Sequence, residues 1–166
     1  MAEAIKSGNE REINPIDLLE ETAHDQDWGY DRECEDELTM VVRGIWSDYN
    51  ISLNWRDDKE TLHVACAFEL KVPNTRLNEI FRLIAIINEQ LWIGHFDYWQ
   101  HEGLMMFRHG LLLNDTVATR AQCDALLKAA LEAGERYYQA FQFVVWAGKN
   151  SRDALATAIF ETEGCA

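Results

Sequence analysis

Basic residues are scarce in this chain: 15 Lys and Arg stand against 29 Asp and Glu, a formal net charge of −14. Nucleic acid and anionic membrane surfaces both demand a basic stripe, so neither is an expected partner. No apolar run approaches the roughly 18 residues of a membrane span, and the N-terminus lacks the apolar core of a signal peptide. A soluble cytoplasmic protein is the expectation. The four cysteines, Cys34, Cys66, Cys123 and Cys165, show no C-x-x-C spacing. That pattern predicts reduced, mostly buried thiols and no structural zinc. Also missing are a G-x-S-x-G nucleophile turn and a G-x-x-x-x-G-K-[ST] phosphate loop. No cofactor is expected.

What the chain does have is an apolar share of 48% and six Trp, the values of a globular protein. Its 166 residues suit one domain that buries roughly 70% of its unfolded surface. The acidity sits at one end: residues 1–37 carry 13 acids and three bases. Residues 1–13 are polar and aperiodic, and read as a disordered acidic tail before a single domain over 14–166.

Asn14-Pro15 pairs an N-cap with a proline at the first helical position, and starts a helix running to about Asp25. Trp28 to Cys34 and Leu38 to Arg43 read as strands around the acidic turn Glu35-Asp36-Glu37. From Ile45 the alternation is strong, with Ile45, Tyr49, Ile51, Leu53 and Trp55 on one face. After the charged turn Arg56–Glu60, Leu62, Val64, Cys66, Phe68 and Leu70 again point one way, with His63 and Glu69 opposite. This is antiparallel sheet with one wet face.

Asn74 caps a helix from Leu77 to about Leu91 whose apolar arc is wide enough for a central helix covered on more than one side. Thr119-x-x-Gln122 is a capping box that opens a long helix, expected to span about 43 Å if unbroken to Ala147. Gly134 inside it marks a close packing contact or a bend. Gly148 suits the position after its end, and Ser151 is expected to cap a last short helix.

Between these two helices lies the stretch Asn88–Asn114, read as a hairpin turning at Glu102-Gly103. A two-residue loop sets Trp99 opposite Met106, Asp97 opposite Arg108 and His95 opposite Gly110. One face then holds His95, Asp97, Trp99, Met106, Arg108 and Leu112. The other holds Phe96, Tyr98, Met105, Phe107, His109, Leu111 and Leu113, and should meet the helices. The architecture predicted is α+β: an antiparallel sheet of about five strands with helices on one face.

His95, His101 and His109 invite a metal site, but His109 has the wrong parity. His95 and His101 stand six residues apart, roughly 20 Å along a strand, so no metal is expected. Asp57, Asp58 and Glu60 lack the glycine and the closing glutamate of a calcium loop, and read as a solvated turn. Asp97–Arg108 reads foremost as a register-fixing ion pair. In the aromatic set Trp46, Tyr49, Trp55, Trp92, Trp99, Tyr137, Tyr138 and Trp146, core packing is the expected role for most. Trp46 and Trp99 fall on polar faces, where an exposed aromatic marks an interaction surface. The candidate binding residues are therefore Trp46, His95, Asp97, Trp99 and Arg108; no catalytic residue is assigned.

Four blocks carry a family resemblance: WRDDKETLHVACAFELKVP, INEQLWIGHFDYW, GLMMFRHGLLL and ERYYQAFQFVVWAGK. Asn88-x-x-Leu-Trp-x-Gly-His-Phe-Asp97 is the most specific part. Over roughly residues 27–164 the chain resembles the YbjN family, described as bacterial sensory transduction regulators. The family pattern departs at Ala147, where a second glycine is expected beside Gly148, and at Gly134, where an acid is common. The resemblance implies a fold like type III secretion chaperones, often dimeric proteins that hold partner segments on exposed apolar surface. It carries no catalytic residue set. The expectation is a non-enzymatic, protein-binding regulatory module whose partner is a protein of unknown identity, with a homodimer as a separate hypothesis. The competing reading is a small-molecule sensor or an unrecognised enzyme with a pocket around Asp97, Arg108 and His95.

Overall fold

The computed structural model describes residues 14–163; the expected acidic tail, residues 1–13, lies outside them. Helix α1 (Pro15–Asp25) starts where the Asn14 side chain accepts the Ile16 amide, with proline at the first turn. Its stripe Ile16, Leu19 and Ala23 is fully buried, which a short acidic helix needs in order to persist. Six strands follow rather than about five: β1 (Gly29–Cys34), β2 (Glu37–Arg43), β3 (Asp48–Arg56), β4 (Thr61–Phe68), β5 (His95–Trp99) and β6 (Leu104–Leu112). They form one sheet in the order β1-β2-β3-β4-β6-β5, antiparallel throughout. The hairpin thus docks by its second strand onto β4, and β5 becomes the edge.

Alternation decides which face is covered. Leu38, Met40, Tyr49, Ile51, Leu53, Leu62, Val64, Cys66, Phe68, Phe96, Met105 and Phe107 all point to one side and are buried. Helices α1, α2 (Leu77–Asn88), α3 (Arg120–Val145) and α4 (Ser151–Glu163) enclose that side. The fold is α+β, one antiparallel sheet with the helices on a single face. The thiols of Cys66 and Cys123 lie inside, and burial pushes them up to about 12 and about 11. Cys34 is exposed.

The capping box of α3 forms as its sequence requires: Gln122 N–H donates to Thr119 Oγ1, and Thr119 N–H to Gln122 Oε1. At 26 residues the helix is about 39 Å long, ending two residues short of Ala147. Gly134 is a close packing contact, since a Cβ there would stand 2.7 Å from the Tyr49 ring.

Four expectations are corrected. Ile45 belongs to no strand; it lies in a bend and is 81% exposed. The chain folds back there, with Gly44 N–H donating to Ser47 O and Ile45 N–H to Glu135 Oε1. Helix α2 ends at Asn88 and buries a single stripe, Ile80, Leu83 and Ile87, so it is not a central helix. Its Phe81 lies at the surface beside Tyr98, and its main neighbours are α3, α4 and β5. Asn150, not Ser151, caps α4, its Oδ1 accepting the Asp153 amide. Ser151 instead donates its N–H to Glu79 Oε2, which holds that carboxyl below its ordinary value. A carboxylate at the helix start complements the helix dipole and ties α4 to α2. Finally, the aromatic set divides. Tyr49, Tyr137 and Tyr138 are core, whereas Trp92 and Trp146 stand in solvent.

Candidate functional site

The strand faces of the hairpin come out as expected, but its register differs. His95 lies opposite Arg108, Phe96 opposite Phe107, Asp97 opposite Met106, and Trp99 opposite Leu104. The loop is Gln100–Gly103, closed by the Gly103 amide on Trp99 O at 2.7 Å. Four loop residues in place of two move the pairing by an even step, so every side chain keeps its face. The partners change nonetheless: Asp97 and Arg108 are diagonal neighbours rather than opposite ones.

They still meet. Arg108 Nη1 donates to Asp97 Oδ2 at 3.2 Å, and Trp99 Nε1 donates to the same oxygen at 3.1 Å. Asp97 Oδ1 accepts the Tyr98 amide at 2.9 Å. The guanidinium carbon sits 5.2 Å from the centre of the Trp99 ring, within cation–π range. On the other side Arg108 Nε donates to His63 Nε2 at 3.3 Å. That bond requires the ring proton on Nδ1 and leaves the imidazole neutral. Both carboxylate oxygens and the imidazole lone pair are therefore engaged, and the cluster is a fixed plate with the indole as one wall.

Of the five candidates, Asp97, Trp99 and Arg108 assemble directly, and His95 stands opposite Arg108 on the adjoining strand. Trp46 does not join them. It lies in the bend before β3, at the Phe68 end of the sheet, where Trp99 also lies, but with β4 and β6 between β3 and the strand of Trp99. The cluster occupies open sheet rather than a pocket; the Asp97 and Arg108 side chains are 38% and 30% exposed. The main clefts of the molecule are lined by other residues.

His63 was not singled out in the sequence. Alternation placed it on the wet face of β4, yet nothing local says that β6 is the next strand. Its ring is held below the ordinary histidine value, first by burial and then by Arg108, His95 and His109. The fold thus prefers the neutral ring, while the unfolded chain takes up a proton near pH 6.5. Stability present above that pH is lost as pH falls toward the folded value. His63→Gln keeps an acceptor for Arg108 without a titrating group. Urea midpoints from pH 7 to pH 5 should fall less steeply for the variant than for the parent; parallel profiles would refute the assignment.

The wider outer face around this cluster has an unusual make-up. Between the ends of β3, the outward positions of β3 and β4 are Asn50, Ser52, Asn54, Thr61, His63, Ala65 and Ala67, and charge enters only at the ends of β3, at Asp48 and Arg56. None of these middle positions carries a carboxylate or an ammonium, in a chain of net charge −14. The middle row runs Thr39, Ser52, Ala65, Arg108, His95 across five strands, and the next runs Val41, Asn50, Ala67, Met106, Asp97. Small side chains form a shallow trough. Val41, Trp99, Leu104 and Leu112 stand exposed at its margins.

Among the described residues no group of three or more His, Cys, Asp or Glu could hold a metal ion, and no helix is long and apolar enough to cross a membrane.

Among curated proteins none matches the chain in sequence. Among solved structures the ExsC–ExsE complex is similar, with 17% identity, 73% of this chain and 88% of that one covered, and a TM-score of 0.50. YbjN from E. coli, described as a putative transcription regulator, gives 14% identity, coverage of 72% and 90%, and a TM-score of 0.48. The first likeness shows the fold. The YbjN family profile, "Putative bacterial sensory transduction regulator", matches residues 15–143, from the start of α1 to the last turn of α3. That span takes in the hairpin and the whole Asp97–Arg108–Trp99 cluster, and so the chain belongs to the YbjN family.

Proposed function

We propose that this protein is a non-enzymatic, cytoplasmic binding module that holds an extended segment of a regulatory protein partner against the open face of its sheet. The observation that carries the reading is the uncharged trough of β3 and β4, walled by Trp99 and Arg108 on an otherwise acidic molecule. A purely solvated sheet face in such a chain would carry charge at these positions. An uncovered sheet with small central side chains lets a partner backbone approach closely, while an aromatic and an arginine at the margin are the residue types that anchor interfaces. A structural neighbour, ExsC, was itself solved as a complex with ExsE. Trp46, at the same end of the sheet as Trp99, extends the surface.

The test places a charge in the trough. Affinity capture from lysate with the parent protein should recover one reproducible partner. Ala65→Lys, set between Ser52 and Arg108, should reduce that recovery roughly tenfold, the scale of a central interface residue. Equal recovery by the variant would remove the sheet face from the argument, and no partner on the folded parent would remove the function.

A further inference from the structure

Helix α1 is closed by a left-handed residue that is not glycine. Asp27 has φ +56°; its N–H donates to His24 O at 3.1 Å, and that of Trp28 donates to Ala23 O at 3.0 Å. This double closure satisfies the last carbonyls of the helix and turns the chain back at its end. Trp28 is thereby placed half-buried against the core. Its side chain walls a cleft of about 410 Å³ between α1 and α3, floored by Leu127 and Leu131. That volume lies in the range of small-ligand sites, roughly 300–1,000 Å³.

The charged groups around the cleft fall into two sets. Arg120 donates to Asp25 Oδ2 at 2.8 Å and to Asp124 Oδ1 at 3.3 Å, and Thr22 Oγ1 donates to the same Asp124 oxygen at 2.8 Å. These side chains tie α1 to α3 and are engaged with one another. Lys128 and Glu132, further along α3, are not held in this way. They meet at 3.6 Å with side chains 73% and 67% exposed, an ion pair that contributes little and leaves both free to turn. Both border the cleft, one helical turn apart, with about 6 Å between their Cβ atoms.

An apolar slot with a cation and an anion side by side at its mouth is complementary to a zwitterion with an apolar body. Charge balance agrees. Arg120, Lys128, Asp124 and Glu132 sum to zero in a chain of net charge −14. A simple anion would bring its charge against Glu132, and a simple cation would bring its charge against Lys128. An ammonium and a carboxylate carried on one carbon satisfy both.

We propose that this cleft binds a free α-amino acid with a large apolar side chain. Its carboxylate pairs with Lys128, its ammonium with Glu132, and its side chain lies between Trp28, Leu127 and Leu131. The site is among the helices, apart from the outer sheet face, and stands or falls independently of the partner-binding reading.

Calorimetric titration of the full chain with L-phenylalanine and with L-leucine should give saturable one-to-one binding, and both should raise the melting temperature. Glycine lacks the apolar group, phenethylamine the carboxylate and 3-phenylpropionate the ammonium. Each should bind roughly tenfold more weakly or worse, the scale of one lost charge-assisted hydrogen bond or one unburied side chain. Lys128→Gln and Glu132→Gln should each weaken L-phenylalanine roughly tenfold. Both altered side chains are exposed, so circular dichroism should show an unchanged fold. Lys59→Gln, in the turn after β3, should leave binding unaltered. The pairing makes a sharper demand: Lys128→Gln should erase the advantage of L-phenylalanine over phenethylamine, and Glu132→Gln its advantage over 3-phenylpropionate. Absence of binding heat and thermal shift with both amino acids overturns the proposal. So does equal binding by glycine, by phenethylamine or by 3-phenylpropionate, or parent-like affinity in both rim variants.

Discussion

Gly94→Ala is expected to destabilise this protein by about 2–5 kcal/mol, combining left-handed backbone strain with overpacking. Gly94 has φ +66°, and a Cβ there would lie 2.2 Å from the Phe107 ring and 2.7 Å from the Arg108 carbonyl oxygen. Neither neighbour can give way: Phe107 is 1% exposed, and Arg108 is held in the β4–β6 ladder. Gly103 provides the control, because it has the same φ of +66° while a Cβ there would come no closer than 3.9 Å to the Tyr98 hydroxyl oxygen. Gly103→Ala should therefore cost only the backbone strain, about 1–2 kcal/mol. Urea unfolding of both variants measures the difference. Equal midpoints would mean that the entry of β5 does not press on Phe107, and the described hairpin packing would be wrong.

Phe96→Ala should cost about 3–5 kcal/mol, the range for truncating a fully buried aromatic. Phe96 is 1% exposed, and its ring centre lies 5.2 Å from that of Phe141, 5.6 Å from Phe107, 5.7 Å from Tyr137 and 6.4 Å from Phe68. It is the side chain through which the edge strand is fastened to β6 and to α3 at once. Phe81→Ala, removing a ring that is 38% exposed and edge-on to Tyr98, should cost far less. Chemical denaturation with a shared m-value separates the two. A loss at Phe96 no greater than at Phe81 would place the hairpin's apolar face outside the core.

The parts of this molecule that local rules govern were legible without coordinates. The N-cap at Asn14 and the box Thr119–Gln122 need only a side chain within three residues of the amide it satisfies. The inner face Leu62, Val64, Cys66 and Phe68 needs only the two-residue period of a strand. The ion pair between Asp97 and Arg108 survived an error in register because the true pairing differs by an even step. Where length and spacing had to stand in for packing, the reading failed. Apolar residues almost all round α2 suggested burial on several sides, yet only the stripe Ile80, Leu83 and Ile87 is buried. Ile45 continues an alternation in sequence that the chain breaks in space, because the Glu135 carboxylate on α3 takes its amide.

Most helices and strands, and the face that His95, Asp97, Trp99 and Arg108 occupy, followed from the amino-acid order alone, since capping and periodicity act over three or four residues; Trp46 did not, because the chain bends before β3. Strand order was decided only in the tertiary structure. Insertion of β6 between β4 and β5 brings His63 onto Arg108 and leaves the outer sheet uncovered. The same packing strands Trp92 in solvent beside a cleft built partly on α3. Contacts of that kind join residues tens of positions apart, and their energies depend on which surfaces are left after the core has closed.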